Sequence, residues 1–138
     1  GPGSGKTTLL RDIARALAEG SGVLAADATG ELCGNGSTMH AALGLSRRLA
    51  VASPAGMLEA VMAAIRGHRP DALVLEGMEL KDLATASSFA ATWGVRLIAS
   101  LPDSFDGLAR AGAFGEAASA GALPCFDAAV VLSRGDFN

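Results

Sequence analysis

The chain has 138 residues, enough for one domain, and half of them are hydrophobic while only 4% are aromatic. Its formal net charge of −3 gives no support to a strongly basic nucleic-acid surface, and no apolar run approaches the ~18–20 residues of a membrane span. No signal peptide is visible, and Cys33 and Cys125 share no metal or redox spacing, so the sequence reads as a single cytoplasmic domain over residues 1–138 with reduced thiols and a core of Ala, Val, Leu and Ile.

The N-terminal segment Gly1-Pro2-Gly3-Ser4-Gly5-Lys6-Thr7-Thr8 matches the phosphate-binding pattern G-x-x-x-x-G-K-S/T, the P-loop or Walker A motif, in all but one position. Gly3, Ser4 and Gly5 are suited to curling backbone N–H groups around a phosphate. Lys6 would reach the β- and γ-phosphates, and the Thr7 hydroxyl, followed by Thr8, would ligate Mg²⁺. The helix expected after it would aim its positive end at the same phosphates. The first glycine of the motif would lie one position before Gly1, and no strand precedes the motif. The expectation is therefore a domain cut from a longer protein, with its first strand missing.

In chain order, Thr7 to Glu19 reads as a helix with Leu9, Leu10, Ile13, Ala14 and Leu17 on one face and Arg11, Asp12, Arg15 and Glu19 on the other. Gly20 and Gly22 end it. Val23 to Ala26, closed by Asp27, suits a buried parallel strand. Residues 28–52 are irregular, punctuated by Gly30, Gly34, Gly36 and Gly44 around Glu31, His40, Arg47 and Arg48. A loop of this length in a compact domain is often functional. Ser53 as N-cap and Pro54 at the first helical position open a second helix, with Met57, Leu58, Val61, Met62 and Ile65 as its core stripe. That helix stops near Gly67, before Pro70.

Ala72 to Leu75 is a strand ending in Glu76. Leu80 to Trp93 is a helix with Leu83, Ala86, Ala90 and Trp93 on its inner side, and Val95 to Ser100 is a further strand. A weaker helix over Ser104 to Ala120 and a strand over Ala128 to Leu132 complete the pattern. Short apolar strands alternating with helices specify an α/β fold, a parallel sheet flanked by helices.

Several segments carry a resemblance. They are Gly5-Lys6-Thr7-Thr8-Leu9-Leu10-Arg11-Asp12-Ile13-Ala14-Arg15, Asp27, Glu31-Leu32, Gly34, Gly36, His40, Gly44, Arg47-Arg48, Ala60-Val61-Met62, Arg69-Pro70-Asp71 and Gly94 to Ser100. On these the chain resembles the ATPase core of stage III sporulation protein AA and of a group of bacterial and chloroplast ATPases, relatives of the secretion and pilus-retraction ATPases. In that group a small single-stranded nucleic-acid-binding domain follows the core. The resemblance implies a RecA-like P-loop NTPase, an ATPase of the broad AAA kind. It implies ATP and Mg²⁺ as cofactors and a ring-shaped homo-oligomer in the intact protein. Nucleic acid would be a partner only through domains outside this chain.

It also implies roles. Glu76 would hold Mg²⁺ through water, and the strand ending at Ser100 would carry a group sensing the γ-phosphate. Two positions depart from the family pattern: Gly77 stands where a water-polarising Glu is usual, and Ser100-Leu101-Pro102 where Thr-Ala-His is usual. Both fall on hydrolysis and spare phosphate binding. Glu31 could then serve as the base, and Arg48 or Arg47 could reach the γ-phosphate of a neighbouring subunit. Asp27 lies at the same sheet edge as Glu76, while His40 and His68 read as structural. The expectation is a Mg-ATP-binding module with weakened hydrolysis. The alternatives are a non-hydrolysing nucleotide switch and an oligomerisation module of a nucleic-acid-associated protein.

Overall fold

In the computed structural model the described residues are 5–34, 36, 38–51 and 53–101. The expected helix over 104–120 and strand over 128–132, together with Gly1, Gly3, Ser4, Pro102 and Cys125, lie outside them.

Helix α1 spans Lys6–Ala18, strand β1 Val23–Asp27, strand β2 Arg47–Arg48, helix α2 Met57–His68, strand β3 Ala72–Glu76, helix α3 Leu80–Thr92 and strand β4 Arg96–Ala99. Among the described residues the four strands form one sheet in the order β2-β1-β3-β4, every pair parallel. The α/β parallel architecture expected from the sequence is thus observed.

Strands β1 and β3 are buried on both faces along their first four residues. This accounts for their unbroken apolar sequence, since a strand covered on both sides has no polar face to alternate with. Side chains still alternate in destination. Leu24, Ala26, Leu73 and Leu75 join Met57, Val61, Ile65, Leu83 and Ala86 under α2 and α3. Val23, Ala25, Ala72 and Val74 join Leu10, Ala14 and Leu43 under α1. The same parity carries the last residues of both strands, Asp27 and Glu76, to the α1 face. These two acids are direct register partners at the C-terminal edge of the sheet.

Four local expectations need correction. Ser53 and Pro54 do not start α2: Pro54–Gly56 form a 3₁₀ turn, and Ser53 makes no side-chain cap. The pair Arg47–Arg48, read as part of an irregular stretch, forms a two-residue strand beside β1. The inner stripe of α1 is Leu10, Ala14 and Ala18. Trp93 is not core: it is 41% exposed, and the Arg69 guanidinium lies 5.4 Å from its ring centre, a cation–π pairing that a surface indole accepts.

Candidate functional site

Gly5 is the N-cap of α1 at φ 89°, a left-handed conformation that glycine adopts without cost. A Cβ there would meet nothing within 4 Å, so the backbone angle rather than crowding calls for glycine. Among the described residues no side chain caps the helix start, and its first N–H groups and positive end are suited to an acceptor. Lys6 and Thr7 are half-buried at this end, while Thr8 is exposed.

Their partners lie at the edge of the sheet. The Thr7 hydroxyl donates to Glu76 Oε1 at 2.6 Å, joining α1 to the end of β3. The other oxygen of that carboxylate, Oε2, is buried and accepts no hydrogen bond from the described residues. Lys6 Nζ donates to the Leu101 carbonyl at 2.8 Å, just past β4. Among the described residues neither Lys6 nor Glu76 enters an ion pair; the two salt bridges there, Arg15–Asp12 and Lys81–Glu79, are on the surface. A buried carboxylate oxygen without a donor is costly unless a water, a proton or a cation satisfies it. Glu76 and the Thr7 hydroxyl offer oxygen ligands only, the donor set suited to Mg²⁺.

Asp27, one strand away, is used differently. Its Oδ2 accepts from the backbone N–H of Leu32 at 2.6 Å and of Cys33 at 2.8 Å, and its Oδ1 from that of Gly30 at 3.1 Å. The carboxylate is spent on folding the loop that leaves β1. Glu31 sits on that loop with its side chain exposed. Arg48 donates to the carbonyl of Gly36 at 2.6 Å and to that of Gly34, so its guanidinium is engaged within its own chain, while Arg47 is exposed.

Cys33 is fully buried below the loop; burial, reinforced by the Asp27 carboxylate, raises its thiol from 9.0 to about 11. His40 is structural: its Nδ1 accepts from the Ala42 N–H at 3.1 Å and caps a short 3₁₀ turn. Ser100 donates its backbone N–H to the Leu75 carbonyl, continuing the β3–β4 pairing.

Gly77 has a local explanation. It lies at φ 91°, and a Cβ there would sit 3.4 Å from Ala28 Cβ. An L-residue is strained at that angle, so the chain leaves β3 in a conformation that disfavours a glutamate after Glu76.

Sequence reasoning missed Arg11. The helical pattern puts it on the polar face of α1, yet it is half-buried and donates to the carbonyls of Glu31 and Leu32. Its spacing from Thr7, one helical turn, was the available signal.

The fold and edge geometry define a class: an open parallel α/β domain with two adjacent acids at the C-terminal edge of the sheet, one facing a helix start. Comparison with known proteins then gives relatives. The chain is 36% identical over 101 residues to "Uncharacterized protein ycf45" of Porphyra purpurea, covering 70% of this chain and 18% of that protein. It is 34% identical over 100 residues to "Protein SEEDLING PLASTID DEVELOPMENT 1" of Arabidopsis thaliana, covering 71% of this chain and 15% of that protein. The ycf45 protein of Cyanidium caldarium is 31% identical over 101 residues, with 30% of its length covered. The chain thus spans less than a third of each of these relatives. No family model matches it, and no solved structure matches it.

These relatives correct the resemblance drawn from the motifs. The similarity found is to ycf45 and a plastid development protein, not to the sporulation and secretion ATPases, and the relatives' names carry no ATPase, AAA, RecA-like or ring-assembly description. The cytoplasmic expectation is not carried either, since the Arabidopsis relative is named for plastids. Among the described residues no helix is long and apolar enough to cross a membrane.

Proposed function

We propose that this domain binds a nucleoside triphosphate, in the first instance Mg-ATP, at the start of α1, and hydrolyses it weakly. One observation carries the reading: the Thr7 hydroxyl and the Glu76 carboxylate meet at 2.6 Å beside an uncapped helix start, and Glu76 keeps one buried oxygen without a donor. The glycine-rich approach to Lys6 supports it from the sequence side. The sheet supports it too, since open parallel sheets bind ligands at the C-terminal ends of their strands, and the parallel arrangement is compatible with a RecA-like or a Rossmann-like fold.

In this reading the α1 N–H groups and Lys6 bind the phosphates, Lys6 exchanging the Leu101 carbonyl for a phosphate oxygen. Thr7 and Glu76 hold Mg²⁺, Glu76 directly or through water. The ion would neutralise charge on the terminal phosphates when bound. Weak hydrolysis is expected from Gly77, where the backbone disfavours a second acid, and from the engagement of Asp27 by three N–H groups. Glu31 is the remaining candidate base at this edge, and its loss to Gln separates a slow enzyme from a non-hydrolysing switch. A base contributes ~10²–10⁴-fold, so a Glu31→Gln variant with an unchanged single-turnover rate favours the switch.

Calorimetry of Mg-ATP on wild type and Lys6→Ala tests the site. A charge-assisted contact worth ~1.5–3 kcal/mol predicts a loss of roughly ten- to over a hundredfold. Equal affinities would remove Lys6 from the site, and no binding to the wild type would end the proposal.

A further inference from the structure

We infer that Arg11 is a positioning residue that ties the start of α1 to the loop over residues 28–34, and that this loop is held as a rigid platform by ionised side chains acting on its main chain. The inference rests on the nucleotide-binding reading for its functional meaning and on the loop's own hydrogen bonds for its substance.

Leu32 is gripped from two sides. Its N–H donates to Asp27 Oδ2 at 2.6 Å, and its carbonyl accepts from Arg11 Nε at 3.0 Å. The second arm of the same guanidinium donates to the Glu31 carbonyl. On the far side of the loop Arg48 holds the carbonyls of Gly34 and Gly36. The Gly34 N–H closes the turn on the Gly30 carbonyl at 2.9 Å, with Gly30 and Gly34 in the left-handed region at φ 83° and 93°. The fully buried Leu32 and Cys33 side chains anchor the loop under α1. Three charged residues on three elements are thereby neutralised by backbone dipoles rather than by one another.

Arg11 alone among them sits on the helix that carries Thr7, one turn further along. A change at the helix start is therefore transmitted to the peptide units on either side of Leu32 through one planar, two-pronged group. Lysine has a single donor head and cannot reproduce that fork. Arg48, engaged within its own chain, is assigned the same bracing role in place of a reach toward a neighbouring subunit.

Hydrogen exchange read by mass spectrometry, on wild type, Arg11→Gln and Arg11→Lys, with and without Mg-ATP, tests this. Without nucleotide, Arg11→Lys, which loses one of the two charge-assisted bonds, should exchange the amides of residues 30–33 roughly 10- to 100-fold faster, and Arg11→Gln, which loses both, at least that much faster. Exchange in α2 and α3 should be unchanged. With Mg-ATP, the wild type should gain protection at residues 30–33, and Arg11→Gln should keep its Mg-ATP affinity within about threefold while losing that gain. Unchanged loop exchange in the nucleotide-free variants overturns the brace. Retained protection on binding, or an affinity falling in step with it, overturns the coupling. A wild type that binds no Mg-ATP defeats the functional reading instead, and the nucleotide-free comparison still decides the brace.

Discussion

Asp27 and Glu76 end neighbouring strands, pair in register and point to the same face of the sheet, yet they do opposite things. Asp27 accepts three backbone N–H groups, which hold its carboxylate to the loop. Glu76 accepts one hydroxyl and keeps a buried oxygen open. The difference arises in the chain immediately past each strand. After Asp27 the chain turns back over its own carboxylate through Gly30. After Glu76 it leaves through Gly77 at φ 91° and returns no N–H to the acid. Position at a sheet edge therefore does not fix what an acid does; an oxygen without a partner among the described residues, beside a helix start, is what distinguishes Glu76.

The largest expected effect breaks the comparison on the Asp27 side. Asp27→Asn puts an amide N–H₂ or a single oxygen where three donors converge. Each hydrogen bond to a charged group is worth ~1.5–3 kcal/mol, and the losses overlap, so destabilisation of about 3 kcal/mol or more is expected in urea unfolding. Glu76→Gln should change stability by less than about 1 kcal/mol, because it removes an uncompensated buried charge together with one hydrogen bond. Equal costs at the two positions would erase the distinction.

A second, smaller effect concerns the exit from β3. Gly77→Ala should cost about 1–2 kcal/mol for the left-handed angle, measured by the same unfolding curves, and Gly77→Glu should cost at least as much without restoring rapid hydrolysis. A Gly77→Glu variant that is stable and fast would show that the backbone is not what excludes the second acid.

A third effect, confined to alkaline pH and absent at neutral pH, probes the environment of Asp27 through Cys33. The folded thiol titrates near 11 and the unfolded one near 9.0, so the folded state holds its proton longer. Its contribution is fully present below pH 9 and is lost as pH rises through 11. Stability should decline over that window, and Cys33→Ala should flatten the decline. A Cys33→Ala curve identical to the wild type would mean that the thiol is not the group responsible.

The legible parts of this molecule were those governed by local rules. The apolar runs at 23–26 and 72–75 had to be buried on both faces, and the structure gives strands at Val23–Asp27 and Ala72–Glu76. The order of helices and strands gave the parallel sheet. What could not be read was where long polar side chains go. Arg11 and Arg48 look like solvated cations in a sequence, because their partners are carbonyls 20–21 and 12–14 residues distant and not acids. Trp93 fell on the expected helix face but follows α3 as its C-cap, where it is 41% exposed. The two-residue strand Arg47–Arg48 is too short to leave a periodic signal and exists only because β1 offers it an edge. The family drawn from the motifs was also corrected, since a glycine-lysine-threonine start speaks for a chemistry rather than a lineage.

The central claim is that the unspent oxygen of Glu76, with the Thr7 hydroxyl, serves a divalent cation on a bound nucleotide. Isothermal titration of ATP with Mg²⁺ and with EDTA, on wild type and Glu76→Gln, tests it most directly. The account predicts that Mg²⁺ tightens ATP binding at least tenfold in the wild type, about 1.4 kcal/mol, and that Glu76→Gln loses most of this gain while keeping its metal-free affinity. A wild type indifferent to Mg²⁺, or a Glu76→Gln variant with the full Mg²⁺ dependence, would contradict it.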